Sequence, residues 1–118
     1  MAAAAIFRHG DPVSVDYTPS AGNVAAGDVI VLGNTAGWCC GVAHHDIVNN
    51  VLGAISSDNG VYEVTNLNNA ANYVKVWWDS TNKGVSTTST NNAQFGYVVE
   101  NGGLGTNSAV RVIHKPFV

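Results

Sequence analysis

Two clusters of reactive side chains lie in the first half of the chain. Cys39 and Cys40 are adjacent, and His44-His45-Asp46 follows a few residues later. Thiolate, imidazole and carboxylate groups all bind zinc, but zinc sites usually take paired ligands two to four residues apart, with a second pair further along. Here the ligands are contiguous, so neighbouring side chains diverge. The spacing therefore favours a polar loop after a strand over a metal site.

A cysteine nucleophile with His44 as its base is the second chemistry that this region suggests. Such a nucleophile needs surroundings that lower the thiol pKa, and no residue pattern here indicates them. Adjacent strand residues point to opposite faces, so Cys39 and Cys40 pair with each other only through a strained ring. We expect two small apolar residues and no disulfide framework, which suits synthesis in a reducing compartment.

A glycine-rich loop, Gly102 to Thr106, resembles a phosphate-binding loop only superficially. A dinucleotide-binding loop leads directly into a helix, whereas the residues after this loop, 109–113, have the pattern of a strand. The chain contains no G-x-x-x-x-G-K-[ST], no G-x-S-x-G and no H-E-x-x-H motif. Its carboxylates lie mostly beside turn residues. We therefore predict a hairpin loop here, and no catalytic residue, cofactor or metal in the chain.

Short runs of β-branched and aromatic residues, separated by Gly- and Asn-rich turns, dominate the sequence. This rhythm predicts an all-β fold, a small barrel or sandwich of short, mostly antiparallel strands with little helix. The clearest predicted strands cover residues 28–32, 60–65, 72–78, 94–100 and 109–113. Residues 44–52 have helix-like apolar spacing, but a loop that leads into a strand fits them equally well. Residues 66–72 have room for one helical turn.

Local patterns give two more detailed predictions. Asn59-Gly60 separates two apolar runs and is typical of a type I′ turn, which predicts a hairpin between 52–57 and 61–65. On the strand near residue 75, period-two alternation places Trp77 and Trp78 on opposite faces. One of them then faces solvent or a partner, and Trp is enriched at protein interfaces. A sheet covered on both sides by its own chain remains the alternative. Trp38 follows a glycine turn and is suited to close one end of a barrel.

The first nineteen residues differ from the rest. They carry Ile6, Phe7 and Tyr17 together with Pro12 and Pro19, and they precede the first strong strand. An extended arm along a neighbouring subunit fits this pattern, and so does a first edge strand of the same domain. We divide the chain into residues 1–19, as arm or edge strand, and a single β domain over residues 20–118. The opening segment has no basic region before its short apolar run, so we expect no secretory signal.

Few residues carry charge. Charged residues make up 11% of the 118, and five Lys and Arg against eight Asp and Glu give a net charge of −3. Proteins that bind duplex nucleic acid cluster their cations, whereas the five cations here are scattered. No apolar run approaches the roughly 18 residues of a membrane span. We therefore expect neither nucleic acid nor membrane among the partners.

Taken in order, the motifs resemble the small capsid cement (head decoration) proteins of tailed phages along nearly the whole chain. The strings that carry the resemblance are Gly10-Asp-Pro-Val-Ser-Val-Asp-Tyr-Thr-Pro19, Val24-Ala-Ala-Gly-Asp-Val-Ile-Val-Leu-Gly33, Gly41-Val-Ala43, Leu52-Gly-Ala-Ile55, Gly60-Val-Tyr-Glu-Val64, Val76-Trp-Trp-Asp79, Phe95-Gly-Tyr-Val-Val99 and Val110-Arg-Val112. Each string is weak alone, and their order and spacing together are fairly specific.

The resemblance implies a β-rich, non-enzymatic virion protein on the outer capsid surface, made in the host cytoplasm. It implies the major capsid protein and sister subunits as partners, with trimers near local three-fold axes that clamp neighbouring capsomers. On that basis Ile6, Phe7, Tyr17 and one of Trp77 or Trp78 are the predicted contact residues. A carbohydrate- or receptor-binding β module on the virion is the alternative, because exposed Trp near Asn and Asp is also an arrangement that binds sugars.

Overall fold

The structure, a computed structural model, describes residues 4–33 and 39–116, and within these ranges all regular structure is β-strand. The strands are β1 (Ile6–His9), β2 (Val13–Tyr17), β3 (Val29–Val31), β4 (Cys40–Val42), β5 (Gly53–Asp58), β6 (Val61–Asn66), β7 (Lys75–Asp79), β8 (Gly84–Ser86), β9 (Ala93–Glu100) and β10 (Ser108–His114). The all-β prediction is confirmed, and all five of the clearest predicted strands form. Trp38 lies outside the described residues.

The ten strands form two sheets. The large sheet has the order β1-β6-β10-β9-β7-β8, and the small sheet has the order β2-β5-β4-β3, with antiparallel neighbours throughout. The large sheet curls until β8 meets β6 in parallel at Asn66 and Val85. The architecture is therefore sandwich-like rather than a regular barrel.

The main core fills the concave side of the large sheet, as strand alternation predicts. Val76 and Trp78 of β7 are buried there with Val110 and Val112 of β10, while Arg111 of the same strand is only half-buried. A second, smaller cluster lies against the small sheet and consists of Ala43, Ile47 and Ile55 with half-buried neighbours. Burial of these apolar faces is the main source of stability.

The predicted hairpin at Asn59-Gly60 is wrong. Both residues do take positive φ angles, 63° and 85°, but the strands they join belong to different sheets. β5 pairs with β2 and β4, whereas β6 pairs with β1 and β10. The Asn59 N–H donates to the carbonyl of His114 (2.7 Å), and the His114 N–H donates to the carbonyl of Gly60 (2.9 Å). The turn therefore carries the chain from one sheet to the other.

Neither segment with helical features forms a helix. Residues 44–52 are a loop that leads into β5, and they pair with residue 24 through an isolated bridge at Ile47. Ile47 fills the space left by Gly53, where a Cβ atom would come within 2.7 Å of its side chain. Residues 67–74 are turns between β6 and β7. The loop alternative for residues 44–52 is thus the correct one.

The N-terminal stretch contributes one strand to an edge of each sheet. β1 pairs with β6 at the edge of the large sheet, and β2 pairs with β5 at the edge of the small sheet. Gly10, between them, has φ of 108°, and a Cβ atom there would lie 3.0 Å from the backbone of Gly60. This close approach requires glycine.

Within the described residues, no helix is long and apolar enough to span a membrane.

Candidate functional site

An aromatic chain runs from the core to the surface through the first strand. Trp78 packs against Phe95 (5.9 Å between ring centroids), Phe95 packs against Tyr62 (6.3 Å), and Tyr62 packs against Phe7 (5.6 Å). His44 contacts the Phe7 ring at 4.9 Å, and its Nε2 lies 2.7 Å from the Tyr62 hydroxyl. Phe7 is 41% exposed, so the chain ends at a partly open aromatic face.

A shallow apolar cleft of about 340 Å³ lies beside this aromatic chain. Ile6 and Phe7 form one wall, Ala43 and His44 another, and Tyr62 lies among the lining residues. Burial lowers the pKa of His44, and the nearby His45 lowers it further. His44 is therefore largely neutral near pH 7, which keeps the cleft free of positive charge.

The structure separates the other predicted contact residues. Trp78 is 1% exposed and belongs to the core, so it offers no surface to a partner. Trp77 lies on the opposite face of β7, half-buried beneath the Lys75 ammonium, which lies 5.4 Å from its ring centroid. Tyr17 is half-buried against the small-sheet cluster. The candidate contacts are thus Ile6, Phe7, Tyr17 and Trp77, and they do not form one site.

His114 and Cys40 take structural positions. The His114 side chain is fully buried, and its Nε2–H donates to the carbonyl of Cys40 (2.7 Å), which joins β10 of the large sheet to β4 of the small one. Burial raises the pKa of the Cys40 thiol well above its usual value. Because the thiolate is the nucleophile, Cys40 is suited to packing rather than to nucleophilic attack.

The residues that suggested a zinc site, Cys39, Cys40 and His44-His45-Asp46, do not converge in the structure. His44 is hydrogen-bonded to the Tyr62 hydroxyl, while the Asp46 carboxylate accepts a hydrogen bond from the Ala26 N–H (2.9 Å). Across residues 4–33 and 39–116, no three His, Cys, Asp or Glu side chains converge on a point that could hold a metal ion.

A first exposed apolar surface lies on the small sheet and the loop before β5. We call it the small-sheet patch, and its exposed members are Val13, Val15, Val48, Val51 and Leu52. Val15 pairs with Ile55 and Tyr17 pairs with Gly53, so both point to the side of the small cluster. The patch is aliphatic and extends this cluster toward solvent.

A second exposed surface, the loop patch, consists of Tyr73, Val74 and Leu104. It lies on the β6–β7 loop and the tip of the β9–β10 hairpin. Tyr73 is 77% exposed and Leu104 is 70% exposed. The hairpin runs from His114, next to the small sheet, to this tip, and the seven residues of β10 cover about 20 Å.

Hydrogen bonds fasten the two loops of the loop patch together. The Gly105 N–H donates to Asn69 Oδ1 (2.7 Å), and the Gly102 N–H donates to Asn72 Oδ1 (2.8 Å). The Gly103 N–H donates to the carbonyl of Ala70 (2.9 Å). A Cβ atom at Gly102 would lie 2.4 Å from the backbone nitrogen of Asn72. The loops thus pack backbone against backbone, and Tyr73 and Leu104 project from a preformed surface.

The sequence profile of the phage cement proteins matches residues 7–113 of this chain. The match spans all ten strands except for one residue at each end. The chain belongs to the phage cement protein family. Comparisons with curated proteins and with solved structures gave no match. Membership of the cement family confirms the resemblance, and it gives the protein a structural role in association with the phage capsid.

Sequence reasoning missed the loop patch of this cement protein. Residues 66–74 and 101–108 contain no charged residue or histidine. These two uncharged segments were the only feature of the sequence that could have indicated a binding surface here. The glycine-rich loop was correctly predicted as a hairpin loop, but strand patterns do not reveal which loops meet.

Proposed function

We propose that this protein binds the outer surface of the expanded phage head as trimers near local three-fold axes, where it bridges capsomers and stabilises the shell. The observation that carries the proposal is the pair of separate exposed surfaces, the small-sheet patch and the loop patch, on a domain of only 118 residues. A subunit that bridges two neighbours needs two such surfaces. Membership of the cement family supplies the capsid as the partner.

The small-sheet patch suits contact between sister subunits. Its exposed residues are Val and Leu, with Tyr17 and Ile55 in the cluster behind them. Permanent subunit interfaces are more apolar than the ordinary protein surface and resemble a divided core. The half-covered cluster of the small sheet has this character, and a sister subunit would complete its burial.

The N-terminal residues add a third contact to the proposal. Ile6 and Phe7 flank the apolar cleft, and Phe7 packs on His44 and Tyr62, which holds its ring in place. An aromatic ring held by its neighbours loses little conformational entropy when a partner covers it. Trp77 is held in a similar way by Lys75.

Stabilisation of the phage shell would follow from mass action. Many copies that bind the expanded shell, but not the immature one, shift the shell toward the expanded state in proportion to their difference in affinity. The step needs neither a cofactor nor a catalytic residue of this chain.

The test is co-sedimentation of the purified protein with expanded and unexpanded shells of the phage that encodes it. Saturable binding to expanded shells alone is the expected result. Because β1 and β2 are strands of the two sheets, point variants are cleaner than removal of the N-terminal stretch. Phe7→Ser should weaken retention on shells, and Thr90→Ser, at an exposed position outside the cleft, is its control.

Absence of binding to both shells would overturn the proposal. Binding to a panel of glycans instead would then favour the carbohydrate-binding module. Equal retention of Phe7→Ser and the unaltered protein would remove the N-terminal contact alone.

A further inference from the structure

Tyr73 holds a backbone conformation that is unfavourable for its side chain. Its φ is +67°, in the left-handed region that bulky residues avoid. Among the described residues, eight other than glycine have positive φ, and six of these are asparagines, the residue that tolerates this region best. Tyr73 and Lys83 are the exceptions. The chain therefore carries a strained tyrosine at a position where its other turns use asparagine.

Packing within the chain does not offset this strain. The Tyr73 side chain is 77% exposed, so most of its ring contacts solvent rather than the core. Its backbone is held by the Tyr73 N–H, which donates to the carbonyl of Val98 (2.6 Å). Strained residues that persist in a fold are concentrated at sites of function. An exposed aromatic ring on a strained backbone points to a contact outside the chain.

The surroundings of Tyr73 have the composition of a protein-binding loop. Residues 66–74 and 101–108 contain Asn, Gly, Ala, Ser and Thr with Leu67, Tyr73, Val74 and Leu104, and no charge. Binding loops of antibodies use the same combination, in which tyrosine supplies a rigid contact area while Asn, Ser and Gly provide adaptable hydrogen bonds. The inter-loop hydrogen bonds hold this surface ready, which reduces the entropy lost on binding.

We infer that the loop patch is the surface that docks on the assembled phage shell, with Tyr73 and Leu104 as its anchors, an inference that rests on the proposed cement function. A cement protein meets a shell that has already been built, so its docking surface must be soluble beforehand. Two anchors within an amide-rich surface meet that requirement. The aliphatic small-sheet patch suits a permanent contact between sister subunits instead.

The decisive variant is Tyr73→Asn, because it separates strain from binding. Asparagine tolerates the left-handed backbone, so the isolated variant should be more stable, with a Tm higher by about 4 °C. The same variant should bind expanded shells at least about tenfold more weakly in co-sedimentation, since it loses a central aromatic anchor. If Tyr73 had only a structural role, its replacement would not raise the Tm and at the same time lower the affinity for expanded shells.

Lys83→Asn is the matched control. Lys83 has a φ of +56° in the β7–β8 turn, so its replacement relieves the same kind of strain and leaves Tyr73 and Leu104 in place. Its Tm should rise and its shell binding should stay unchanged. Leu104→Ser, in the exposed hairpin tip, should weaken shell binding without lowering the Tm.

The inference is overturned if Tyr73→Asn and Leu104→Ser bind expanded shells as tightly as the unaltered protein. It is also overturned if these variants lose association between subunits in analytical ultracentrifugation while single subunits still bind shells, because a second copy would then occupy the patch. Failure of the unaltered protein to bind any shell would instead remove the proposed function itself.

Discussion

At the scale of single residues, His114 joins the two sheets through one hydrogen bond. Its Nε2–H donates to the Cys40 carbonyl, while its buried Nδ1 has no hydrogen-bond partner among the described residues. Burial lowers its pKa below the ordinary value of 6.5 and outweighs the opposing effects of the Cys40 carbonyl and Asp58, while His44 lowers it further. The neutral imidazole is therefore the form that the folded protein accepts.

This arrangement predicts that acid weakens the fold. The unfolded chain takes up the His114 proton at a higher pH than the folded chain does, so the free energy of unfolding should fall as the pH drops below about 6.5. Urea unfolding at pH 7.5 and at successively lower pH measures this slope. His114→Gln, whose amide can donate to Cys40, should reduce the slope. His9→Gln, at an exposed position, should leave it unchanged. An equal slope in all three proteins would contradict the assignment.

The two adjacent tryptophans give a matched pair. Trp78 is fully buried among core residues, and Trp77 is half-buried on the outer face of the same strand. Trp78→Ala should lower the free energy of unfolding by about 3–5 kcal/mol, since it leaves a cavity. Trp77→Ala should cost far less and act mainly on partner contacts. Chemical denaturation followed by circular dichroism compares the two, and a larger loss for Trp77→Ala would contradict the placement of the rings.

At the scale of elements, the strands could be predicted from sequence and their partners could not. β-branched runs and period-two alternation placed β7 and β10 and put Trp77 and Trp78 on opposite faces, but only the structure shows that Trp78 is the one in the core. The Asn59-Gly60 signal gave the correct backbone angles but the wrong pairing, because a turn signal is local while β6 pairs with β1 and β10 from distant parts of the chain.

For the candidate site, too, the sequence indicated some of the residues but not the contacts between distant segments. Ile6 and Phe7 are exposed on an edge strand, and their role in partner contacts stays a prediction. Tyr73 could not be recognised, because its positive φ depends on how the β6–β7 loop packs against the β9–β10 hairpin. That contact lies between residues some thirty positions apart, such as Asn72 and Gly102.

The pairing of β9 with β10 depends on one glycine. A Cβ atom at Gly96 would lie 1.8 Å from the carbonyl oxygen of Ile113, a backbone atom that cannot rotate away. Gly96→Ala should therefore lower the free energy of unfolding by about 2 kcal/mol or more, as the strands separate locally. Gly103→Asn is the control, because Gly103 has φ of +76° with open space around it, and asparagine tolerates this angle. Thermal unfolding of both variants tests the prediction, and equal Tm values would refute it.

At the scale of the whole molecule, the low content of charged residues determines which forces drive association with partners. The small-sheet patch and the loop patch both consist of uncharged side chains, and the net charge is −3. Association through such surfaces depends on burial rather than on ion pairs. It should therefore respond weakly to screening by salt.

This gives a prediction for assembly. Retention on expanded shells should change by less than about threefold between about 0.05 and 0.5 M salt, a range over which screening suppresses contacts between exposed charges. Co-sedimentation across a salt series measures it. A loss of ten-fold or more at the higher concentration would mean that ion pairs dominate, which would assign docking to a surface around Arg8 or Arg111 instead.

The strand order also determines when the protein can fold. β10 is the last strand in the part of the chain that the structure describes, yet it lies between β6 and β9 in the large sheet, whereas the small sheet is complete once residue 58 has been made. A growing chain can therefore assemble the small sheet early, but until β10 leaves the ribosome β1–β6 and β9–β7–β8 are joined only by the short parallel contact of β6 with β8. Folding with such distant pairings is slow, on the order of milliseconds to seconds. A chain that ended before residue 108 would expose the edges of β6 and β9, so premature termination would yield an aggregation-prone fragment rather than a weaker cement.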